Sequence, residues 1–288
     1  MQILYKIPGY FLLLFGGFCL SWGGLIVRSF ETINAWDILL LRSFFFFIGV
    51  STFLILIYKK KSLQTIRKAG LAGFLGGFVM SFSFIAFVFA MMNTSVANVV
   101  FIISTQTMFL AIFGYFYLKE KVSLIGLLSI ILAMMGITVM IGDSISSGTF
   151  FGNIVALTIP ISFSILIMII RKNSNLDLVP AIWYASIFSL LYSIIMVDAF
   201  SFTNNDILMG FLLGVPQLTF GFICITIGSR TTKSVTIGLL MLTETIFAPL
   251  WVWTFLNEIP PASVFIGGSI IIFAIIIKSF DQKKSFLA

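Results

Sequence analysis

Residues 96–120 read VANVVFIISTQTMFLAIFGYFYLKE, and residues 234–258 read SVTIGLLMLTETIFAPLWVWTFLNE. Each is an apolar run of membrane-spanning length with a polar triplet near its middle and a glutamate at its close. The triplets are Thr105-Gln106-Thr107 and Thr243-Glu244-Thr245. A shift of 138 positions lays residues 70–120 over 208–258 without a gap and leaves eleven identities. The Thr94/Thr232, Thr105/Thr243, Thr107/Thr245, Gly76/Gly214 and Glu120/Glu258 pairs carry the signal. In a chain with 34 Phe, pairs such as Phe82/Phe220, Phe84/Phe222 and Phe109/Phe247 are expected by chance. Ala72-x-x-x-Gly76 also overlies Gly210-x-x-x-Gly214, a pattern of small residues that lets helices approach closely in lipid.

Outside this pair the chain has the same character. Of its 288 residues 60% are hydrophobic and 9% charged, against roughly a quarter charged in a soluble domain. Too little polar surface exists to cover a water-soluble globule, so lipid must be part of the solvent. A bilayer core takes about 20 apolar residues as a helix. Ten segments reach that length, at 8–27, 36–58, 70–91, 96–118, 122–141, 150–170, 180–198, 207–228, 235–256 and 262–279. The first follows Lys6 but has no small-x-small cleavage pattern after it, so it reads as a retained helix and not a signal peptide. The expected fold is all-α, with ten transmembrane helices and no room for a soluble domain.

Orientation follows from Lys and Arg, which cytoplasmic loops retain. Lys6, Lys59, Lys60, Lys61, Arg67, Lys68, Lys119, Lys121, Arg171, Lys172, Arg230, Lys233, Lys278, Lys283 and Lys284 all fall on one side of such a ladder, 15 of 17 basic residues. The opposite gaps hold Glu31, Asp37, Asp143, Asp198, Asp206 and Glu258, with Arg28 the basic exception. Both termini are therefore expected in the cytoplasm. This pattern also accounts for the net charge of +7 without a nucleic-acid partner, since the basic stretches are short and unclustered. Five helices per repeat is an odd number, so residues 143–288 re-enter the membrane inverted relative to residues 1–142. Inverted repeats are the architecture of many secondary transporters, with the substrate near the midplane between the halves.

The stretches TSVANVVFIISTQTMFLAIFGYFYLKEKVSLIGLLSIILAMMGITVMI and KSVTIGLLMLTETIFAPLWVWTFLNEIPPASVFIGGSIIIFAIII resemble the ends of EamA-type repeats. In those an apolar helix, a short KE or GE turn and a Gly-punctuated last helix recur. The chain thus resembles the drug/metabolite transporter superfamily over essentially its whole length. Two departures are Asn257-Glu258 in place of GE, and Ala111 where the second half has Pro249. The resemblance implies a cavity lined mainly by the first, third, fourth, sixth, eighth and ninth spans, with the fifth and tenth peripheral.

Glu244 is the leading site candidate. About ten residues into the ninth span it lies ~15 Å deep, where a carboxylate costs about 2.5–3.5 kcal/mol even on the mild insertion scale. Two readings stand. The carboxyl faces a cavity to bind a cation or exchange a proton, or it is protonated and makes an interhelical hydrogen bond. Its repeat counterpart Gln106 lies at the same expected depth, flanked by Thr105 as Thr243 flanks Glu244. Asn98 shares a face with Thr105 at i, i+7. Gln217 sits beside Pro216, which frees a backbone carbonyl in the eighth span as Pro160 does in the sixth. Trp22 and Trp251 are candidates to stack on a substrate or cation, or to pack. Arg42, about five residues inside the second span, is expected to snorkel outward toward Asp37 or Glu31. Trp36, Trp183, Tyr184 and Trp253 fit an interfacial belt.

Catalytic constellations are missing from the sequence. It has no His, no P-loop, no G-x-S-x-G and no metal-ligand cluster. Cys19 and Cys224 lie in apolar stretches and read as packing residues. No cofactor and no metal are expected. The reading is a secondary-active transporter of a small, amino-acid-like or otherwise amphipathic metabolite, working by alternating access with proton coupling open, in a bacterial inner membrane. The rival is an uncoupled facilitator or a lipid-handling membrane protein. Expected partners are a small-molecule substrate and membrane lipid, with a homodimer left open.

Overall fold

The computed structural model describes residues 3–32, 34–94, 96–141, 150–198, 200, 202–256, 265–267 and 269–277, and among them every element is helical. A single turn, α1 (Ile3–Lys6), leads into α2 (Gly9–Leu20) and α3 (Gly23–Arg28). Helices α4 (Ala35–Tyr58) and α5 (Ser62–Asn93) run on through a 3-10 turn at Lys59–Lys61. There follow α6 (Val96–Ser104), α7 (Gln106–Leu118), α8 (Leu124–Ile141), α9 (Phe150–Lys172) and α10 (Val179–Met196). Then α11 (Asn204–Leu212) passes through a π-helical segment, Leu213–Thr219, into α12 (Phe220–Ser229), and α13 (Ser234–Leu256) follows. Lipid offers the backbone no hydrogen-bond partner, so the helix, which satisfies its own N–H and C=O groups, is the form such apolar runs must take.

Seven helical stretches are long and apolar enough to cross a membrane, and two shorter apolar helices lie at Leu124–Gly136 and Phe265–Ile277. The sequence-expected spans 36–58 and 70–91 fall in one 59-residue stretch, Ala35–Asn93. That stretch turns at Lys59–Lys61 and again at Gly70, whose φ of 51° a side chain would resist. The spans expected at 122–141 and 262–279 correspond to the two shorter helices. Asp143, Asn257, Glu258, Lys278, Lys283, Lys284 and both chain ends lie outside the described residues.

The bundle is apolar outside and mixed inside. Ile195 is 76% exposed and Leu71 70%, while Ser81, Ser104, Thr107, Ser164, Ser186 and Ser189 are buried. Glycines set the closest helix contacts. A Cβ on Gly77 would stand 2.5 Å from Ala181 O, and one on Gly214 would stand 2.6 Å from Phe46 N. Within α5 the tightest approach to another helix is therefore at Gly77, one position beyond the small-residue pair expected from Ala72 and Gly76. In the second half Gly210 and Gly214 both press on α4, at Leu41 and Phe45. Trp183, expected in the belt, is half-buried near the start of α10 and donates to Ser51 Oγ at 3.0 Å.

Most of the junctions rich in Lys and Arg are tied to one another. Tyr5 donates to Asp177 Oδ2 at 2.6 Å, Tyr58 donates to the same oxygen, and the two hydroxyls are 2.5 Å apart. Arg230 donates to Ser174 O at 3.0 and 2.8 Å and lies 5.9 Å from the Tyr5 ring centroid. Arg171 pairs with Glu120, whose second oxygen accepts from Ser234 N at 3.0 Å. Lys119 closes α7 in the left-handed conformation, φ 53°, so that Glu120 N reaches Gly114 O at 3.1 Å. This gives the KE turn its geometry, because glycine is the commonest residue at such a cap. Residues that read from sequence as topology markers are thus also a polar latch.

Two outcomes are expected. Gly77→Val and Gly214→Val force backbone apart, and each should lower thermal stability by about 1–3 kcal/mol in detergent melting. Burial, followed by the charge of Asp177, pushes the Tyr5 hydroxyl well above its ordinary value of 10.0. A group whose folded pKa is raised stabilises fully below its unfolded value and loses that contribution as pH rises past it. Tyr5→Phe should therefore lower stability by about 1–2 kcal/mol. The deficit should be constant between about pH 6 and 9 and should shrink above about pH 10, because the unperturbed phenol titrates there.

Candidate functional site

Irregular backbone marks one level of the bundle. Between α2 and α3 the chain is interrupted at Ser21 and Trp22, between α6 and α7 at Thr105, and between α11 and α12 by the π-helical segment carrying Pro216 and Gln217. Proline cannot donate to the preceding turn, and the π segment is where the eighth expected span absorbs that loss. Thr219 Oγ1 donates to the Gly214 carbonyl at 2.8 Å, and Gln217 Nε2 donates to the Leu20 carbonyl at the end of α2, 3.2 Å away. Side chains thus repair the freed backbone and fasten two interrupted helices together.

Beside these interruptions lies a small, partly open cavity. Its walls come from α2 (Leu20), α4 (Arg42), α5 (Met80, Ser83, Phe84, Phe87), α6 and α7 (Ile103, Gln106), α9 (Ile159, Phe163), the π segment and α12 (Gln217, Leu218, Phe222) and α13 (Met241, Glu244). These are the six spans that the family resemblance implied, with the second span added through Arg42. Gln106 and Glu244, placed at one depth by the repeat alignment, line the same cavity. Both are almost fully buried, 3% and 6% exposed.

Among the described residues no hydrogen bond reaches the Glu244 carboxyl, so the interhelical bond expected of a structural acid is not made. Neighbours perform that task. Ser104 and Thr245 hydroxyls meet at 2.6 Å, and Thr107 Oγ1 donates to Gly238 O at 3.1 Å. α2 also packs closely at this level, where a Cβ on Gly17 would stand 3.2 Å from Thr243 Cβ. Glu244 is held in place by its helix and left open toward the cavity.

Arg42 corrects the sequence reading. It does not snorkel outward; it is 2% exposed and lines the cavity. Of its expected outer partners, Asp37 instead accepts from Thr32 Oγ1 at 3.1 Å. Arg42 Nη1 donates to Phe84 O at 3.1 Å, and its guanidinium carbon lies 4.9 Å from the Phe87 ring centroid and 5.4 Å from that of Phe84. Because α4 begins at Ala35, capped by Asn34, Arg42 is seven residues in, ~10 Å along the axis. The cap Asn34 was the signal in the sequence that could have placed it deeper.

The remaining expected site residues lie outside the cavity walls. Asn98 donates to Thr94 Oγ1 at 3.1 Å, and Thr94 donates in turn to Asn153 at 3.0 Å. Thr105 and Thr243 bond back to their own helices, to Ile102 O at 2.6 Å and Leu240 O at 2.7 Å. Trp22 and Trp251 stack on each other, centroids 4.0 Å apart at 21°, and Trp251 Nε1 donates to Ser21 Oγ at 2.8 Å. They hold the first expected span against the ninth. Cys19 and Cys224 are buried and unpaired, and no metal-binding group of His, Cys, Asp or Glu occurs among the described residues.

An apolar helical bundle around a buried, charged cavity defines a polytopic membrane protein. Residues 7–142, just under half of the chain, match the model of the EamA-like transporter family. A solved crystal structure superimposes on 96% of this chain and 98% of its own with a TM-score of 0.76 at 15% identity, a likeness that shows the fold. No curated protein matches the sequence.

Gln217→Leu keeps the volume and removes the donor to Leu20 O. It should lower stability by about 1–3 kcal/mol, the penalty for an unsatisfied buried carbonyl, read as a fall in melting temperature.

Proposed function

We propose that this chain is a secondary-active transporter, moving a small, amino-acid-like or other amphipathic metabolite by alternating access across a bacterial inner membrane. In this reading ten spans form two five-helix repeats, residues 1–142 and 143–288, of opposite orientation and with cytoplasmic ends. The positive-inside pattern, the gapless repeat and the match of residues 7–142 to the EamA-like transporter family support it.

The observation that carries the proposal is Glu244: a carboxyl among apolar helices, almost fully buried, without a hydrogen bond among the described residues and open to a cavity shared with Gln106. An intramembrane acid so placed binds a cation or passes a proton. The amine of a solute, surrounded by apolar and amide walls, satisfies it. The latch of Tyr5, Tyr58, Asp177, Glu120, Arg171 and Arg230 acts as the inner closure that must part when the cavity opens to the cytoplasm.

Glu244→Gln is expected to cut transport into proteoliposomes about tenfold or more, the size of one charge-assisted hydrogen bond of about 1.5–3 kcal/mol, and to flatten its dependence on pH. Undiminished, still pH-dependent flux would overturn the assignment. Wild-type flux indifferent to both pH and membrane potential would mark an uncoupled facilitator instead.

A further inference from the structure

Glu244 is one half of the cavity's charge, and Arg42 is the other. Each is the other's electrostatic partner, yet they do not meet. The sole contact ion pair among the described residues, within 4.0 Å, is Arg171 with Glu120. Two desolvated opposite charges separated by a gap are a poor arrangement for an empty protein. Burial penalises each of them, and most of the attraction that would offset the penalty is lost without contact. The arrangement makes sense when a third body lies between.

The geometry of Arg42 agrees. Its one hydrogen bond, to Phe84 O, and the rings of Phe84 and Phe87 fix the plane of the guanidinium. Nε has no partner although it is buried. A guanidinium held in this way presents the planar fork that takes a carboxylate through two parallel bonds. The cavity that both line is also walled by Met80, Phe163 and Phe222 with the amides of Gln106 and Gln217, a surface for an apolar body with a few polar atoms.

We propose that Arg42 is a specificity-determining residue that binds a carboxylate of the transported solute, so that the cavity selects a zwitterion, an α-amino acid with an apolar side chain, over a plain amine. This rests on the transport reading above and adds to it the second charge and its sign. A phosphoethanolamine lipid headgroup carries the same pair of charges, and the test separates the two sources.

Binding is measured by thermal shift on detergent-purified wild type, with a panel of apolar α-amino acids, their decarboxylated amines, their deaminated acids, and phosphoethanolamine. The expected result is that one or more amino acids bind at least about tenfold more tightly than the matching amine and acid, as loss of one charged bond implies, and more tightly than phosphoethanolamine. Arg42→Gln should bring the amino acid down to the level of its amine while leaving amine binding in place. Glu244→Gln should bring it down to the level of the acid. The inference is overturned if the amine binds wild type as tightly as the amino acid, if phosphoethanolamine outcompetes every amino acid, if no amino acid binds, or if Arg42→Gln keeps the zwitterion preference. The wild-type comparison needs no variant, so it decides the matter even if Arg42→Gln does not fold. Retained pH-dependent transport by Glu244→Gln would remove the transport reading itself, a different outcome from equal binding of amine and amino acid.

Discussion

Every backbone amide in this bundle has to find its partner inside the protein, because lipid supplies none. For most of the chain the α-helix meets that demand by itself. The places where it does not are therefore informative, since each interruption requires a repair from a side chain or a neighbouring element. At Ser21–Trp22, Thr105 and Leu213–Thr219 the interruptions cluster, and repairs come from Gln217 and Thr219. The same residues that mend the backbone line or adjoin the cavity. A site with polar groups can exist here only because the helices around it are allowed to be imperfect.

That constraint also orders the electrostatics. Charges at the helix ends are spent on holding the ends together: Tyr5, Tyr58 and Asp177 in one cluster, Glu120, Arg171 and the Ser234 amide in another, Asp206 capping α11 and taking the Glu31 and Thr32 amides. Charges inside are not. Arg42 and Glu244 stay apart, each anchored by its own helix, with the aromatic faces of Phe84 and Phe87 beside the guanidinium. A protein that needed these two groups only for cohesion would bring them into contact. The proposed transport cycle uses the gap.

The repeat is visible in sequence, yet its two copies are not used alike. Thr105 interrupts the fourth expected span, while its counterpart Thr243 lies within unbroken α13. Pro216 forces a π segment in the eighth, while α5 passes its counterpart, Phe78, as regular helix. Gln106 overlies Glu244, an amide against an acid. Residues that overlie one another in the sequence repeat thus bring different chemistry to the cavity, as Gln106 and Glu244 do.

Hydropathy, the distribution of Lys and Arg, and the shifted identities were enough to read an all-helical membrane bundle, and the depth of Glu244 and Gln106 was enough to place them in one cavity. These are properties of single segments in a known solvent, where length and polarity act nearly alone. The direction of Arg42, the engagement of Asn98 with Thr94, and the mutual stacking of Trp22 and Trp251 belong to another kind of fact. Along the chain Arg42 lay within snorkelling reach of the lipid–water boundary and was expected there, and two tryptophans 229 positions apart carried no mark of facing each other. Only the packing of helices decided these, because a side chain's partner is set by which faces meet across the bundle, and no local pattern encodes that.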